Sequence, residues 1–349
     1  MTYDQTLNGR TKGTEEERRV SPSEERRARL LAKMGRLYYI DGLSQQEIAE
    51  KLGLSRPHVS RLLTLARSQG IVEIRIHSPY PEVDRLAADL EDRFGLRDAI
   101  VVPDTEDAGT PLSAVARAAG QLLDETLPAG ATVAVSAGAT ANAVAHAIEH
   151  PKPRSSHFVP MVGGQGPVGA SRHANETVRL LAIKFRGEYF LLNAPAVVAN
   201  PSSRDTFLAE PEIARVLERA AASQVALVGV GGVAVSSNLV KSGGLTEAEM
   251  ARTAEQGAVG NVNTEFIDLD GEVVKTSLSG RFVGLTTEQL KAIPYRIAVV
   301  TGEDKAPAIL GALRGGFFSA LVTGAGTARA VLALDDRTRP KEANAAGRR

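Results

Sequence analysis

The chain of 349 residues contains no cysteine, which excludes disulfide bonds, zinc–thiolate centres and a cysteine nucleophile. It also lacks any apolar run that approaches the length of a membrane span. The first residues are polar and charged, without the apolar core of a signal peptide. We therefore expect a cytoplasmic protein that has no membrane partner.

Net charge is absent too, because 41 Lys and Arg balance 41 Asp and Glu. The charges are not evenly spread: residues 1–80 hold 14 Lys and Arg against 10 Asp and Glu. This excess of four positive charges permits an N-terminal domain that faces nucleic acid but does not establish one. The chain is too long for one compact core, so we expect two domains with tails.

Composition and periodicity divide the chain into a smaller helical part and a larger part that mixes strands and helices. Both ends are charge-rich and lack periodicity, which is typical of disordered tails. The predicted segments are a disordered tail over 1–22, a helical domain over 23–78, a linker with an amphipathic helix over 79–97, an α/β domain over 98–335 and a second disordered tail over 336–349.

The amphipathic helix that follows the linker carries an apolar stripe, Leu86, Leu90 and Phe94, at the spacing of one helix face. We interpret this stripe as a bridge between domains or a dimer contact. At the end of the helical domain, residues 71–76 have the pattern of a strand.

In the larger domain, short β-branched runs alternate with helical segments. This alternation predicts an α/β fold, a Rossmann-like, mostly parallel sheet covered by helices on both faces. Ligands of such sheets bind outside the carboxyl ends of the strands. Asp270-Gly271 predicts a tight hairpin turn. The predicted strands are Thr132–Val135, Phe158–Val162, Val225–Val230, Ile297–Thr301 and Ala320–Thr323.

The helical domain contains a helix-turn-helix pattern over residues 43–63, LSQQEIAEKLGLSRPHVSRLL. Ser44 is expected to cap its first helix, and Gly53 permits the sharp turn at the end of that helix. Ser55 is expected to cap the second helix, with Pro57 in its first turn, where no N–H is needed. The side chains predicted to face inward are Ile48, Ala49, Leu52, Val59, Leu62 and Leu63.

Polar side chains are left outward at the start of the second helix, which is the part of a recognition helix that reaches base edges. Arg56 can donate two hydrogen bonds to guanine, and His58 and Ser60 are adaptable readers. The alternative is a helical hairpin that only packs or dimerises, with solvated arginines. The predicted DNA contacts are Ser44, Gln46, Ser55, Arg56, His58, Ser60 and Arg61, of which Ser44, Gln46 and Arg61 suit phosphates.

Two strand ends of the larger domain favour an anionic ligand. The turn Ser136–Thr140 follows a strand and opens a helix, so its amides and hydroxyls suit a phosphate. Lys305, which follows another strand after Gly302, supplies a countercharge. Together these signals favour a phosphorylated ligand, although small residues also occur in such turns for steric reasons.

Residues 228–234 formally match the dinucleotide fingerprint G-x-G-x-x-A, with Glu249 about twenty residues further on. The segment that follows is rich in Ser, Gly and Asn and does not have the pattern of the required helix. We therefore expect no nicotinamide and no other cofactor.

From about residue 27 to 333 the chain resembles the SorC-type sugar-binding transcriptional regulators, a family that includes the central glycolytic gene regulators and the Bacillus-type deoxyribonucleoside regulator. The order and spacing of its motifs carry the resemblance. They include LSQQEIAEKLGLSRPHVSRLLTLARSQGIVEIRI (43–76), VAVSAGATANAVAHAI (133–148), HANETVRLLAIKF (173–185), NAPAVV (193–198), ALVGVGGV (226–233), GAVGNVNTEFIDLDG (257–271) and IAVVTGEDKAPAILGALRGGFFSALVTG (297–324).

The resemblance implies an effector domain that is similar to glucosamine-6-phosphate deaminases and ribose-5-phosphate isomerases but serves as a sensor. It also implies a regulator that usually works as a tetramer on DNA. By position it implies a phosphate-holding turn at 136–140, a polar ligand contact at His173 and a phosphate-facing Lys305. The expected effector contacts are Ser136, Gly138, Ala139, Thr140, His173, Gly302 and Lys305.

The chain departs from the family pattern at several positions. Val162 stands where the glycolytic regulators have an effector-binding Arg, and Asn261 where an acidic residue is common. Thr301-Gly302 replaces the usual Gly-Gly, and Gly324 replaces an Asp. The missing Arg argues against a bisphosphate and favours a monophosphate or an unphosphorylated polyol.

We therefore expect a transcription regulator, not an enzyme, whose affinity for operator DNA is controlled by a small carbohydrate effector, a sugar phosphate or polyol phosphate, and which works as a homo-oligomer (dimer or tetramer). The alternative is an isomerase or deaminase with a DNA-binding domain. Such an enzyme needs a positioned base. Asp268 and Asp304 are available, but Asp268 lies beside a turn and is interpreted as structural. A ligand-free architectural protein would not require the large α/β domain.

Overall fold

The computed structural model describes residues 21–74, 78–104, 110–164, 173–234 and 237–339. The chain divides into two compact units between His77 and Ser78, called here the N-terminal and C-terminal units. Most of the two predicted tails lies outside the described residues. Within the described part, no helix is long and apolar enough to cross a membrane.

The N-terminal unit is helical. Its elements are α1 (Pro22–Gly35), a π-helical turn (Arg36–Ile40), α2 (Gln45–Leu52) and α3 (Arg56–Ser68).

Local signals set where these helices begin and end. Ser21 and Ser44 cap α1 and α2 through capping boxes, and Gly53 ends α2 in the left-handed conformation with a φ of 64°. The helices bury a shared core made of Met34, Leu37, Ile48, Ala49, Val59 and Leu63. The inward-facing residues predicted for the helix-turn-helix are thereby confirmed, with Leu52 and Leu62 partly buried at the rim of this core.

Leu31 is fully buried on α1, and the helical path changes to π-helical geometry after Gly35. Residues 71–74 form bends and irregular backbone, so the predicted strand is wrong over this part. Residues 75 and 76 lie outside the described part.

The C-terminal unit is built on a seven-stranded, fully parallel sheet in the order β1-β10-β9-β5-β2-β3-β4, with a separate antiparallel sheet in the order β6-β7-β8. The parallel sheet confirms the predicted α/β fold. The strands are β1 (Asp98–Val102), β2 (Thr132–Val135), β3 (His157–Pro160), β4 (Glu188–Tyr189), β5 (Val225–Val228), β6 (Val230–Gly232), β7 (Gly260–Val262), β8 (Glu265–Ile267), β9 (Tyr295–Val299) and β10 (Ala320–Gly324).

Helices cover both faces of the parallel sheet. The described helices of this unit are α4 (Pro81–Phe94), α5 (Pro111–Thr126), α6 (Ala139–Ala147), α7 (Ala174–Phe185), α8 (Pro201–Ala209), α9 (Pro211–Ala221), α10 (Asn238–Lys241), α11 (Glu247–Glu255), α12 (Thr287–Ala292), α13 (Ala306–Arg314) and α14 (Ala325–Thr338). Among them, α10 and α11 pack instead in a separate cluster with β8.

Strand alternation divides the interior into two layers. In β2, Val133 and Val135 point into a cluster with α5, α6 and α7, whereas Ala134 points into a cluster with α4, α9, α13 and α14. Because both faces are buried, the central strands β2, β5 and β10 consist mostly of apolar residues, which is why their short runs are recognisable in the sequence.

The apolar stripe of α4 packs inside the C-terminal unit itself. Leu86 and Leu90 are buried in the same cluster as the α14 residues Val331 and Leu332, and Arg93 on this helix forms an ion pair with Asp336. The interpretation of the stripe as a bridge or dimer contact is therefore wrong, because its own domain already covers it.

Helix α14 also continues further than expected. It runs to Thr338, into the residues assigned to the C-terminal tail. Arg314 explains this extension, because its guanidinium donates hydrogen bonds to the buried Asp335 at 2.9 Å and to Thr338 at 2.8 Å.

The turn after β8 is held by Asp268. Its carboxylate accepts hydrogen bonds from the backbone N–H groups of Asp270 (3.0 Å) and Glu272 (2.9 Å). A single antiparallel bridge, between Ile267 and Val273, follows instead of a full second strand. The chain thus reverses where the hairpin was predicted, and Asp268 has the structural role expected of it.

Candidate functional site

The helix-turn-helix of the N-terminal unit presents polar side chains on and beside α3. Arg56, His58 and Arg61 are exposed, and Ser60 is half-buried. The Arg61 Nε donates to the carbonyl of Pro57 at 3.3 Å, which holds this side chain along the helix surface. The predicted residues therefore lie on one short exposed segment, as a recognition helix requires.

The two serines expected to cap the helices behave differently. The Ser44 hydroxyl accepts from the Glu47 N–H at 3.3 Å, and the Glu47 carboxylate accepts from the Ser44 N–H at 2.8 Å. Hydrogen bonding of the Glu47 carboxylate by the Ser44 N–H, and secondly by the Ser44 side chain, lowers the pKa of Glu47. Ser55 occupies the N-cap position of α3, but its side chain makes no capping hydrogen bond. The prediction that its hydroxyl caps α3 is wrong, and the exposed hydroxyl is left for another partner.

Gln46 lies on the exposed surface of α2, where its amide nitrogen donates to the Glu50 carboxylate at 2.9 Å. Its side chain is therefore open to solvent, as those of Arg56, His58 and Arg61 are. A nearby carboxylate weakens the attraction of this spot for phosphate.

The C-terminal unit contains a cavity of about 700 Å³ outside the carboxyl ends of β2, β3 and β5, a volume typical of small-molecule sites. Its walls come from the turn after β2, the segment from Gly229 to Ala234, helix α10, the turn between β7 and β8, and the start of α13. The position agrees with the expectation that function lies at the strand ends.

The turn after β2 forms one wall. Ser136, Gly138, Ala139 and Thr140 all line the cavity, and α6 begins at Ala139. Gly138 has a φ of 127°, which a residue with a side chain rarely adopts. The first amides of α6 have no acceptor within the helix, and the helix dipole adds positive potential at this end.

Lys305 lies on the same cavity and ends a short 3₁₀ turn, Glu303–Lys305, directly before α13. The structure therefore brings together the predicted phosphate turn and the predicted lysine, although 165 residues separate Thr140 from Lys305 in the chain. The site offers an anion both backbone amides and a cationic side chain.

Two predicted contacts are placed elsewhere. Gly302 is not among the described residues that line the cavity, and its N–H donates to the Thr327 hydroxyl at 3.0 Å. His173 is the N-cap residue of α7 and is likewise absent from the described cavity lining. Its ring lies beside Gly164, the last described residue before a gap at 165–172.

The cavity also includes polar residues that the sequence does not predict as contacts: Ser237, Lys241, Asn263 and Asp304. Lys241 and Ser237 come from a Ser/Gly-rich stretch without periodicity, and Asn263 from a turn. Lys241 could have been predicted as a contact, because it is a cation shortly after residues 228–234, which formally match the dinucleotide fingerprint. That segment forms β6 instead of a helix, and Val230–Ala234 line the cavity together with Ser237 and Lys241.

Carboxylates are scarce in this cavity. Among its described lining residues the single Asp or Glu is Asp304, which is exposed. Asp268, the other candidate base, is engaged in its own turn. The arrangement is suited to holding a polar, anionic ligand.

Comparison with known proteins agrees with this architecture. Residues 78–333 match the family model of a sugar-binding domain, and residues 25–88 match that of a Crp-like helix-turn-helix domain. The chain is 32% identical over 298 residues to the deoxyribonucleoside regulator of Bacillus subtilis, covering 85% of this chain and 95% of that protein. It is 32% identical over 311 residues to the transcriptional regulator LsrR of Klebsiella pneumoniae, covering 87% of this chain and 93% of the relative.

A solved structure extends the similarity to the whole architecture. The full-length sorbitol operon regulator SorC from Klebsiella pneumoniae superposes with a TM-score of 0.68 at 30% identity, over 87% of this chain and 99% of that one. The chain therefore belongs to the SorC-type family of sugar-binding transcriptional regulators with a DNA-binding helix-turn-helix.

Proposed function

We propose that this protein is a cytoplasmic regulator whose affinity for its operator is controlled by a sugar phosphate or polyol phosphate bound in the cavity of the C-terminal unit. The observation that carries the proposal is the placement of the Ser136–Thr140 turn and Lys305 on one cavity. A helix N-terminus and a lysine are the groups that hold a phosphate in many α/β proteins.

The energies involved are sufficient for recognition. The helix dipole contributes about 0.3–1 kcal/mol to anion binding, and more when the site is partly buried. A charge-assisted hydrogen bond from the Lys305 ammonium adds roughly 1.5–3 kcal/mol. Val162 lines the cavity in place of an Arg, so that wall supplies no cation, and the second lysine of the described lining is Lys241. A single phosphate group needs only the Ser136–Thr140 turn and Lys305.

The same site argues for sensing rather than turnover. Isomerisation or deamination of a sugar phosphate needs a base held beside the substrate carbons, whereas Asp304, the described cavity carboxylate, is exposed to solvent. The relatives named above are transcriptional regulators. A turnover assay with a panel of sugar phosphates tests this part: catalysis at enzymatic rates would replace the sensor by an enzyme.

On the DNA side, we propose that Arg56, His58 and Ser60 read base edges in the major groove, while Ser44, Gln46, Ser55 and Arg61 set the register through phosphates. The exposure of Arg56, His58 and Arg61 supports this assignment.

We further propose that operator binding needs a homodimer or a homotetramer. One helix-turn-helix covers a short site, so useful affinity requires two of them on half-sites separated by whole helical turns. The α4 stripe is not available for such a contact, which leaves other surfaces of the protein. Light scattering that shows a monomer both free and on operator DNA would contradict this assembly.

The decisive experiment tests whether a ligand of the cavity changes the affinity of the helix-turn-helix for operator DNA. An operator is selected in vitro from random duplexes, and its affinity is measured by fluorescence anisotropy with and without each member of a panel of sugar and polyol phosphates and their dephosphorylated forms. We expect one phosphorylated compound to change the affinity at least tenfold. If no compound in the panel changes it, the proposed control by a carbohydrate effector is wrong.

A further inference from the structure

The parallel sheet of the C-terminal unit ends at β4, a short edge strand that pairs with β3 on one side. The N–H groups of Glu188 and Phe190 donate to the carbonyls of Ser156 and Phe158 on the β3 side, each at 3.0 Å. Because backbone groups alternate in direction along a strand, the N–H and C=O of Tyr189 point to the open side of the edge. Outward backbone groups of this kind are a template for another strand.

Apolar side chains accompany this open backbone. Tyr189 and Leu191 are 43% and 45% exposed, and Ile183 on the neighbouring helix α7 is 59% exposed. Tyr189 lies on the α7 face of the sheet, since its register partner Phe158 belongs to the cluster beneath that helix. The strand at the opposite edge, β1, carries none of the large exposed apolar side chains. Clustered exposed apolar side chains are typical of surfaces that bind another protein.

The other face of the same edge carries two opposite charges. Glu188 is exposed, and its carboxylate lies 3.4 Å from the Nε2 of His157. The guanidinium of Arg219, which is also exposed, covers the ring of Phe190, with 4.2 Å between its carbon and the ring centroid. Glu188 and Phe190 project to one face because side chains alternate along a strand. The edge therefore presents a carboxylate and a guanidinium side by side.

The backbone and the charges of this edge are complementary to those of a second copy in an antiparallel register. If a two-fold axis passes beside Tyr189, its N–H and C=O pair with those of the partner's Tyr189. Glu188 then lies directly opposite the partner's Phe190, with both side chains on the same face. Its carboxylate meets the guanidinium that covers that ring, and symmetry forms this ion pair twice. On the α7 face, the two tyrosines shield each other from water.

We propose that the β4 edge is an interface between two copies of this chain, held by Tyr189, Ile183 and Leu191 on one face and by Glu188 with Arg219 on the other. The proposal rests on the proposed function and deepens it, because operator binding by a homo-oligomer needs a contact surface that α4 does not provide. The two seven-stranded sheets join across the two-fold axis into one continuous sheet.

The test uses the full chain and sedimentation equilibrium over a series of protein concentrations. Glu188→Arg or Arg219→Glu alone places like charges opposite each other, twice in each interface. The double variant, with Glu188→Arg and Arg219→Glu together, exchanges the two charges and restores their attraction. The matched control is Glu255→Arg, which reverses an exposed charge on α11. Circular dichroism verifies that each variant is folded.

We expect wild type to associate and each single reversal to weaken the association constant at least tenfold, so that a dimer becomes a monomer or a tetramer becomes a dimer. The double variant should return to within about threefold of wild type, and Glu255→Arg should associate as wild type does.

Unchanged association of both single variants would overturn this interface and leave the proposed homo-oligomer standing. A double variant as weak as the single ones would overturn the pairing of Glu188 with Arg219 across the axis. If wild type stays monomeric, the proposed homo-oligomer fails and this inference with it. Control of operator affinity by an effector is measured separately, by fluorescence anisotropy, so its failure is distinguishable from these outcomes.

Discussion

The hydroxyl oxygen of Ser136 accepts a hydrogen bond of 2.9 Å from the backbone N–H of Gly229, which joins the carboxyl ends of the neighbouring strands β2 and β5. Ser136 is 3% exposed, so this bond is shielded from water. Because the oxygen acts as the acceptor, the hydroxyl proton remains for an anion in the cavity. One side chain thus joins two strand ends and also lines the cavity.

Ser136→Ala should therefore lower both stability and effector affinity. Removing the hydroxyl leaves the part-buried Gly229 N–H without its acceptor, at a cost of about 1–3 kcal/mol in the free energy of unfolding. Urea denaturation of the ligand-free protein measures this loss, with the exposed Ser202→Ala as the control. Equal unfolding midpoints for Ser136→Ala and wild type would show that the bond between β2 and β5 contributes nothing.

Lys305→Ala should raise the dissociation constant of a phosphorylated effector by about one to two decades, since a charge-assisted hydrogen bond is lost and each 1.4 kcal/mol is tenfold. Operator affinity without ligand should hardly change, and by linkage the variant should need more effector for the same shift in DNA binding. Titration calorimetry with the phosphorylated compound and its dephosphorylated analogue measures the effect.

The control for that experiment is Lys275→Ala, which removes an exposed lysine of the same unit that does not line the cavity. If wild type binds both ligands equally well and Lys305→Ala weakens neither, the cavity does not hold a phosphate, and a free polyol becomes the better effector.

Arg56→Ala and Arg61→Ala should have different signatures on DNA. Arg56→Ala removes a proposed bidentate contact to guanine, so it should weaken specific binding by about 1–3 kcal/mol and relax the preference at one base pair. Arg61→Ala removes a proposed phosphate contact, so it should weaken binding to all sequences alike and flatten the dependence of affinity on salt. Binding-site selection measures the first effect, and salt titrations measure the second. An unchanged sequence preference in Arg56→Ala would remove this residue from base reading.

Acid should destabilise the C-terminal unit through Glu249. This carboxylate accepts from Arg281 at 2.7 Å and from the Thr246 N–H at 2.9 Å, and these contacts lower its pKa from 4.5 to about 2. Because the folded pKa is depressed, the stabilisation is complete above pH 4.5 and is lost as the pH falls toward 2. Its size at neutral pH is about 3 kcal/mol at most.

Glu249→Gln should therefore unfold more easily than wild type at pH 7 and approach it as the pH falls from 4.5 to 2. Chemical denaturation at several pH values measures the difference, with the exposed Glu247→Gln as the control. A stability difference that stays constant across this pH range would mean that ionisation of Glu249 does not contribute.

Much of the fold could be predicted because its signals are local. Strands buried on both faces appear as short β-branched runs, and β2 was located to the residue. The first helix of the helix-turn-helix depends on Ser44 and Gly53, whose capping and turn geometry act within a few residues. The phosphate turn could be proposed for the same reason, since a strand, a small-residue turn and a helix start are adjacent in the chain.

The rest depended on contacts between distant segments. The α4 stripe has the same pattern whether it packs on its own domain or on a partner, and the contact with α14 decided that question. Whether a residue lines the cavity depends on how β6, β7 and β8 fold over the strand ends. For that reason Lys241 and Asn263 were missed, and His173 and Gly302 were expected there.

By itself, the sequence determined the fold class, the family and the start of each reading or binding segment, because propensity, capping and apolar periodicity act over a few residues. Only the tertiary structure decided which side chains share the cavity and which donors are already used within the protein. Asn263 is the clearest case: it is an ordinary turn residue in the sequence, and its amide nitrogen is already used because it donates to the carbonyl of Leu285, 22 residues away.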